Sequence, residues 1–212
     1  GLRGVLATWV LGFHLLAICG ISVPRVLDGS HAVDAFFALS GFVVALVIDV
    51  ERLPYGWFLL KRLFRLFPVF VLCTALGAVL SQIGIMPDRT DVGTDTSHVI
   101  AHLVMLHGLI PDSILRNSAG AFLNPAWSIS VEWQFYLVAP AVSYFLGSGR
   151  RPFVWIALLI TAIVVERASR WLTFNGNSLI GDGSLIRNIG PFLLGIVSFR
   201  AYDWCRRNRL KI

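Results

Sequence analysis

The chain has 212 residues, 56% of them hydrophobic and only 14% charged, with a mean hydropathy of +0.74. A soluble domain of this length carries about 25% charged residues, so the composition points to a membrane protein. A net charge of +6 would suggest a nucleic-acid partner in a soluble protein. Here the basic residues sit between apolar blocks, as in loops that orient membrane segments, and no nucleic acid is expected.

An apolar helix needs about 20 residues to cross ~30 Å of hydrocarbon, and six segments come near that length. The first predicted span runs from Gly4 to Val23 and stops before Pro24. The second runs from Val33 to Val50, and the third from Leu66 to Ile85. A longer polar region follows, containing "HVIAHLVMLHGLI", which is too short to span comfortably. It reads as a re-entrant or interfacial helix, or as part of a tilted span. The fourth span covers Ala126 to Phe145, the fifth Phe153 to Leu172 and the sixth Asn188 to Trp204. The expectation is an all-α polytopic transmembrane helix bundle forming a single domain over residues 1–212. No charged leader followed by a cleavage site is read, and "GLRG" starts as if cut from something longer.

The charges orient these spans. With the amino end inside, the inner connections receive Arg3, Arg52, Lys61, Arg62, Arg65, Arg150, Arg151, Arg200, Arg206, Arg207, Arg209 and Lys211, twelve of the eighteen basic residues. The outer connections hold Asp28, Asp88, Asp91, Asp95, Asp112 and Asp182. Six crossings with both ends of the chain cytoplasmic follow from the positive-inside bias. Cys19, Cys73 and Cys205 are far apart, lack metal-ligand spacing and are expected as buried free thiols; no metal is expected.

Ionisable groups within a bilayer cost at least ~2.5 kcal/mol each and usually face the bundle interior or a water-filled cavity. Arg3 and His14 are eleven residues apart, almost three helical turns, so they share a face with a rise of ~16 Å between them. His14 can exchange a proton near neutral pH. It can equally be a histidine bonded to a neighbouring helix, with Arg3 as an interfacial anchor. Asp34 opens the second span, where a carboxylate either complements the helix dipole or orients His14. His31 reads as a loop residue, and Ser40 and Gly41 as close helix-packing positions.

Arg62 and Arg65 are three apart and share a face. They are either cytoplasmic flanking charge or a bidentate grip on phosphate. Glu132 sits among Trp127, Trp133, Phe135 and Tyr136 and needs a partner: a basic residue of another helix, or a substrate or proton. Asn124 is a plausible cap there and Pro125 a first-turn residue. On the residues alone, His14, Asp34 and Glu132 also suit a proton-coupled transporter or flippase, although no paired broken helices are visible.

Taken together, four stretches resemble the membrane-bound acyltransferase 3 family. They are "RGVLATWVLGFH", with its cation, ten residues and histidine; "HAVDAFFALSGF"; "YGWFLLKRLFRLFP"; and "WSISVEWQFYLVAP", followed by "GPFLLGI". The resemblance covers nearly the whole chain. It implies an integral membrane O-acyltransferase of the bacterial cytoplasmic membrane. Such an enzyme moves an acyl group, often acetyl, from acyl-CoA to a hydroxyl of a sugar or other exported acceptor. It carries the catalytic histidine to His14, with Asp34 and Glu132 assisting, and the cofactor contacts to Arg3, Arg62 and Arg65. It makes Trp127, Ser130 and Tyr136 candidate substrate contacts. The family has about ten spans where six are read here, so a fragment or short member is expected. The family's glycine before Val-Asp is Ala32 in this chain.

Overall fold

A computed structural model describes residues 1–51, 53–85, 96–145, 152–174 and 181–209. Among them there are helices and turns and no strand, as the all-α expectation requires. The helices are α1 (Leu2–Ile18), α2 (Gly29–Glu51), α3 (Tyr55–Gln82), the short α4 (Thr96–Leu103), α5 (Trp127–Phe145), α6 (Pro152–Phe174) and α7 (Ile189–Arg209). Each of the six predicted spans overlaps a helix. Arg52, Asp88, Asp91, Asp95, Arg150, Arg151 and Lys211, used above for orientation, lie outside the described residues.

Three boundaries move. α1 ends at Ile18 rather than Val23. α3 begins at Tyr55, behind Pro54, rather than at Leu66. Lys61, Arg62 and Arg65 are therefore inside the helix, because Lys and Arg are good helix formers and do not interrupt an apolar run. α2 begins at Gly29, so Asp34 stands past its first turn rather than at its start. Asn124 and Pro125 form a short 3-10 turn ahead of α5, and the N-cap of that turn is Leu123 rather than Asn124. The predicted interfacial piece is α4 plus a 3-10 turn at His107–Leu109. Eight residues rise only ~12 Å, too little to cross a membrane. Among the described residues two helical stretches, Arg25–Glu51 and Tyr55–Gln82, are both long and apolar enough to span, and α1 is apolar but shorter.

α2 is the central helix, packed on α1, α5 and α7. Its contact with α7 is at backbone distance. A Cβ on Gly41 would strike the carbonyl of Phe192, and one on Gly195 would strike the carbonyl of Ala38. Small residues at a crossing let two helices interlock where no solvent drives them together. Around this crossing Phe37, Phe192 and Phe135 stack at 4.6 and 4.1 Å between centroids. At the other end of α2, Asp49 is ion-paired with the buried Arg200 of α7. Arg200 also donates to the Ser143 carbonyl of α5 at 3.1 Å. The outward faces carry exposed Val5, Leu15, Phe64, Leu72, Ile156 and Ile160, a surface suited to lipid. The three cysteines are free, but Cys19 and Cys205 are exposed rather than buried, because they lie on outward faces near helix ends.

Gly195→Ala is expected to destabilise the protein by about 1–3 kcal/mol, since backbone must move to admit a methyl group. Gly56→Ala, where a Cβ meets nothing within 4 Å, is expected to be neutral or slightly stabilising. Thermal unfolding of both variants in the same detergent checks the contrast.

Candidate active site

Three helices each turn one face to a common cavity of about 410 Å³. Ala7, Val10, Leu11 and His14 come from α1, and Val33, Phe36 and Phe37 from α2. Pro125, Ser128 and Glu132 come from the start of α5 and the turn before it. Steps of three and four residues keep each set on one helical face. His14 and Glu132 are the ionisable members of this lining. The imidazole is half-buried, meets the Phe13 ring edge-on at 5.6 Å, and makes no hydrogen bond among the described residues. α1 is held in place by two polar clasps. Trp9 donates its indole N–H to the Leu27 carbonyl at 2.9 Å. Arg3 donates to Ser40 Oγ at 3.1 Å.

Glu132 is the hub of a longer chain of contacts. Ser40 donates to its Oε1 at 2.7 Å. Tyr136, one turn further along α5, donates its hydroxyl to the same oxygen. The Arg62 guanidinium lies 5.4 Å from the centre of the Tyr136 ring and 5.5 Å from that of Phe58. Arg3, Ser40, Glu132, Tyr136 and Arg62 thus join α1, α2, α5 and α3. A carboxylate in apolar surroundings persists only when its lone pairs are filled and cations stand near it. Arg62 lies within electrostatic range of Glu132, and of Arg3 and Arg65.

The structure separates the other expected site residues. The arginine pair divides, with Arg65 exposed and Arg62 buried against two rings. Asp34 does not line the cavity of His14. With Trp127 it lines a second, polar cavity nearby. Ser130 is fully buried and accepts from the Gly108 N–H and from Gln134 Nε2, both at 3.1 Å. Tyr136 is fully buried on Glu132.

Two groups escaped the sequence reading. Ser40 has the sequence context of a packing position, yet its hydroxyl couples Arg3 to Glu132. A hydroxyl midway along an apolar helix was the available signal. Gln134 also clasps the Gly183 carbonyl and the Leu185 N–H, each at 2.9 Å, and so pins the turn before α7 to α5. Among the described residues no three His, Cys, Asp or Glu side chains gather as a metal site.

A histidine stack closes the side of the bundle beside α3. His102 and His107 lie face to face at 4.0 Å, with Phe70 5.5 Å from His107. His102 Nδ1 donates to the His98 carbonyl at 2.8 Å and His107 Nε2 to the Ala126 carbonyl at 3.1 Å. Burial pushes His102 down to about 4 and His107 to about 3.

An all-α chain with long apolar helices and a cavity holding a histidine and a carboxylate describes a class of membrane-bound enzyme. The chain belongs to the acyltransferase 3 family of membrane-bound acyltransferases: the family's model, described as "Acyltransferase domain", matches residues 1–212. It is therefore classed with acyltransferases that move groups other than amino-acyl groups. It is similar to "Exopolysaccharide production protein ExoZ" of Rhizobium meliloti (strain 1021), 27% identical over 183 residues, 81% of this chain and 56% of that protein. It is 32% identical over 142 residues to "Protein 2 in picA locus" of Rhizobium radiobacter, 61% of this chain and 72% of that protein. It is also 26% identical over 113 residues to "Acyltransferase MdmB" of Streptomyces mycarofaciens, 53% of this chain and 28% of that protein. The chain spans about half the length of ExoZ. No solved structure matches it.

Both stacked imidazoles stay neutral in the folded protein well below the ~6.5 of a free histidine. Unfolding therefore takes up protons as pH falls below that value. The stabilisation is complete above pH ~6.5 and declines towards pH 4, by about 1.4 kcal/mol per pH unit for each ring. Backbone hydrogen exchange over residues 98–110, corrected for intrinsic rates, is expected to accelerate from pH 6 to pH 4. His107→Phe is expected to flatten that dependence.

Proposed function

We propose that this protein moves an acyl group, acetyl in the simplest case, from acyl-CoA to a hydroxyl of a carbohydrate or other exported acceptor. In this reading six helices cross a bacterial cytoplasmic membrane, with both ends of the chain on the cytoplasmic side. The observation that carries the proposal is the shared cavity of His14 and Glu132, linked through Ser40 and Tyr136 to Arg3 and Arg62. The name of ExoZ, which speaks of exopolysaccharide production, supports a saccharide acceptor.

The residues fit the donor on chemical grounds. Arg62 stands within electrostatic range of Glu132, Arg3 and Arg65, so the cations there outnumber the one carboxylate and suit phosphates. Arg65, being exposed, is free to meet a phosphate directly. Arg62, buried on Tyr136 and Phe58, reinforces the local potential and holds Tyr136 on Glu132. Arg3 does the same through Ser40.

His14 acts as general base. Its imidazole takes the proton of the acceptor hydroxyl as that oxygen attacks the thioester carbonyl. The new C–O bond forms, the C–S bond breaks, and the imidazolium returns the proton to the departing thiolate. Glu132 balances the transient imidazolium charge from across the cavity. Asp34 faces the other cavity, so charge balance falls to Glu132.

The test is a CoA-release assay on the protein in lipid. His14→Ala is expected to lower turnover by about 10²–10⁴-fold, the usual contribution of a general base. Arg65→Ala is expected to raise KM for acetyl-CoA about tenfold with little change in kcat, the loss of one charge-assisted phosphate contact. Equal CoA release by the parent and both variants would overturn the assignment. A transporter would release none.

A further inference from the structure

The second cavity, about 500 Å³, lies at the end of the bundle where α2, α5 and α7 begin. Its volume is within the ~300–1,000 Å³ of small-molecule sites. Its polar lining includes Asp34, Trp127, Arg170, Asp182, Arg187 and Asn188. It adjoins the cavity of His14 through neighbouring residues. Val33 lines one and Asp34 the other; Ser128 lines one and Trp127 the other. Between them the Phe37 and Trp127 rings meet edge-on at 6.2 Å.

The charge of this lining decides what it can hold. Two carboxylates, Asp34 and Asp182, face two guanidiniums, Arg170 and Arg187. Arg187 is bonded to Asp182. Arg170 is paired with Glu166 at 3.2 Å and donates to the Arg187 carbonyl at 2.9 Å. With Glu166 counted, three carboxylates stand against two guanidiniums that are already engaged, so among the described residues no positive surplus remains for a phosphate or a uronate. What the cavity offers is donors and acceptors side by side with the aromatic side chain of Trp127. A sugar hydroxyl both donates and accepts, and so matches such a lining. The apolar face of a pyranose matches the indole. The surroundings of Glu132 differ: Arg62 lies within electrostatic range of it and of two further guanidiniums, Arg3 and Arg65.

We propose that this cavity is the acceptor subsite and that it takes an uncharged saccharide, one ring against Trp127 and a hydroxyl turned towards His14. The assignment rests on the transferase reading above and adds to it the place and the charge class of the acceptor.

Saturation-transfer NMR on the protein in lipid nanodiscs tests it, with cellotetraose as the neutral probe and tetragalacturonate as the anionic one. Cellotetraose is expected to bind and tetragalacturonate to bind at least about tenfold more weakly. Trp127→Ala is expected to weaken cellotetraose binding about tenfold, while Trp127→Phe, which keeps an aromatic face, retains it. Asp182→Asn frees Arg187 and is expected to raise affinity for tetragalacturonate. No cellotetraose signal, a preference for the acid by the parent protein, or indifference to Trp127→Ala would overturn the proposal. The two readings fail separately. Saccharide binding without any CoA release would sink the transferase and leave the subsite. CoA release with an acceptor KM unmoved by Trp127→Ala would sink the subsite and leave the transferase.

Discussion

The backbone contact between α2 and α7 governs the arrangement of this protein. Gly41 and Gly195 let the two helices meet with carbonyls where side chains would otherwise stand. Once Gly41 is turned to α7, helical geometry leaves little freedom for the rest of α2. Ser40, one residue earlier and about 100° around the helix, faces α1 and α5. Val33, Phe36 and Phe37, one and two turns before it, line the cavity beside α1. Asp49 reaches Arg200 at the far end. A methyl group at the crossing would disturb these groups together, because a packed helix turns as a body.

The Glu132 network solves the problem of a carboxylate in an apolar bundle. Hydrogen bonds from Ser40 and Tyr136 occupy its Oε1, and guanidiniums stand behind both donors. The same contacts tie together four helices that are otherwise held by dispersion and small-residue packing. The structural role and the proposed chemical one are compatible. The partners that make Glu132 tolerable also fix it in the cavity that His14 lines, where a fixed charge would stabilise a transient imidazolium without the cost of reorganisation.

Much of the frame was legible in the sequence. Six apolar segments each fell on a helix, of which two helical stretches, Arg25–Glu51 and Tyr55–Gln82, are long and apolar enough to span among the described residues. Boundaries were less legible where a helix continued through charge, as at Lys61, Arg62 and Arg65. A charged run at a membrane edge and a charged turn inside a helix have the same composition. The partners of the ionisable residues were least legible. Which of Asp34 and Glu132 shares a cavity with His14 depends on how α2 and α5 are rotated, and periodicity within one helix carries no information about its rotation against another. The split of Arg62 from Arg65 has the same origin. Three residues apart means 300° around the helix, and that 60° offset is enough to bury one guanidinium under Tyr136 and leave the other exposed.

Distances along α5 give the proposed reaction its direction. Glu132 stands five residues beyond Trp127 and Tyr136 nine, rises of ~7 and ~13 Å. The cavity without positive surplus opens at the Trp127 level, while Arg62, with Arg3 and Arg65 within its electrostatic range, lies on the Tyr136 ring beyond Glu132. A polyphosphate donor is drawn to the second region and gains nothing from the first. A neutral polyol has the reverse preference. With His14 in the cavity between them, the proposed reaction would bring the two substrates to the imidazole from opposite ends, and only the acyl group would pass from one region to the other.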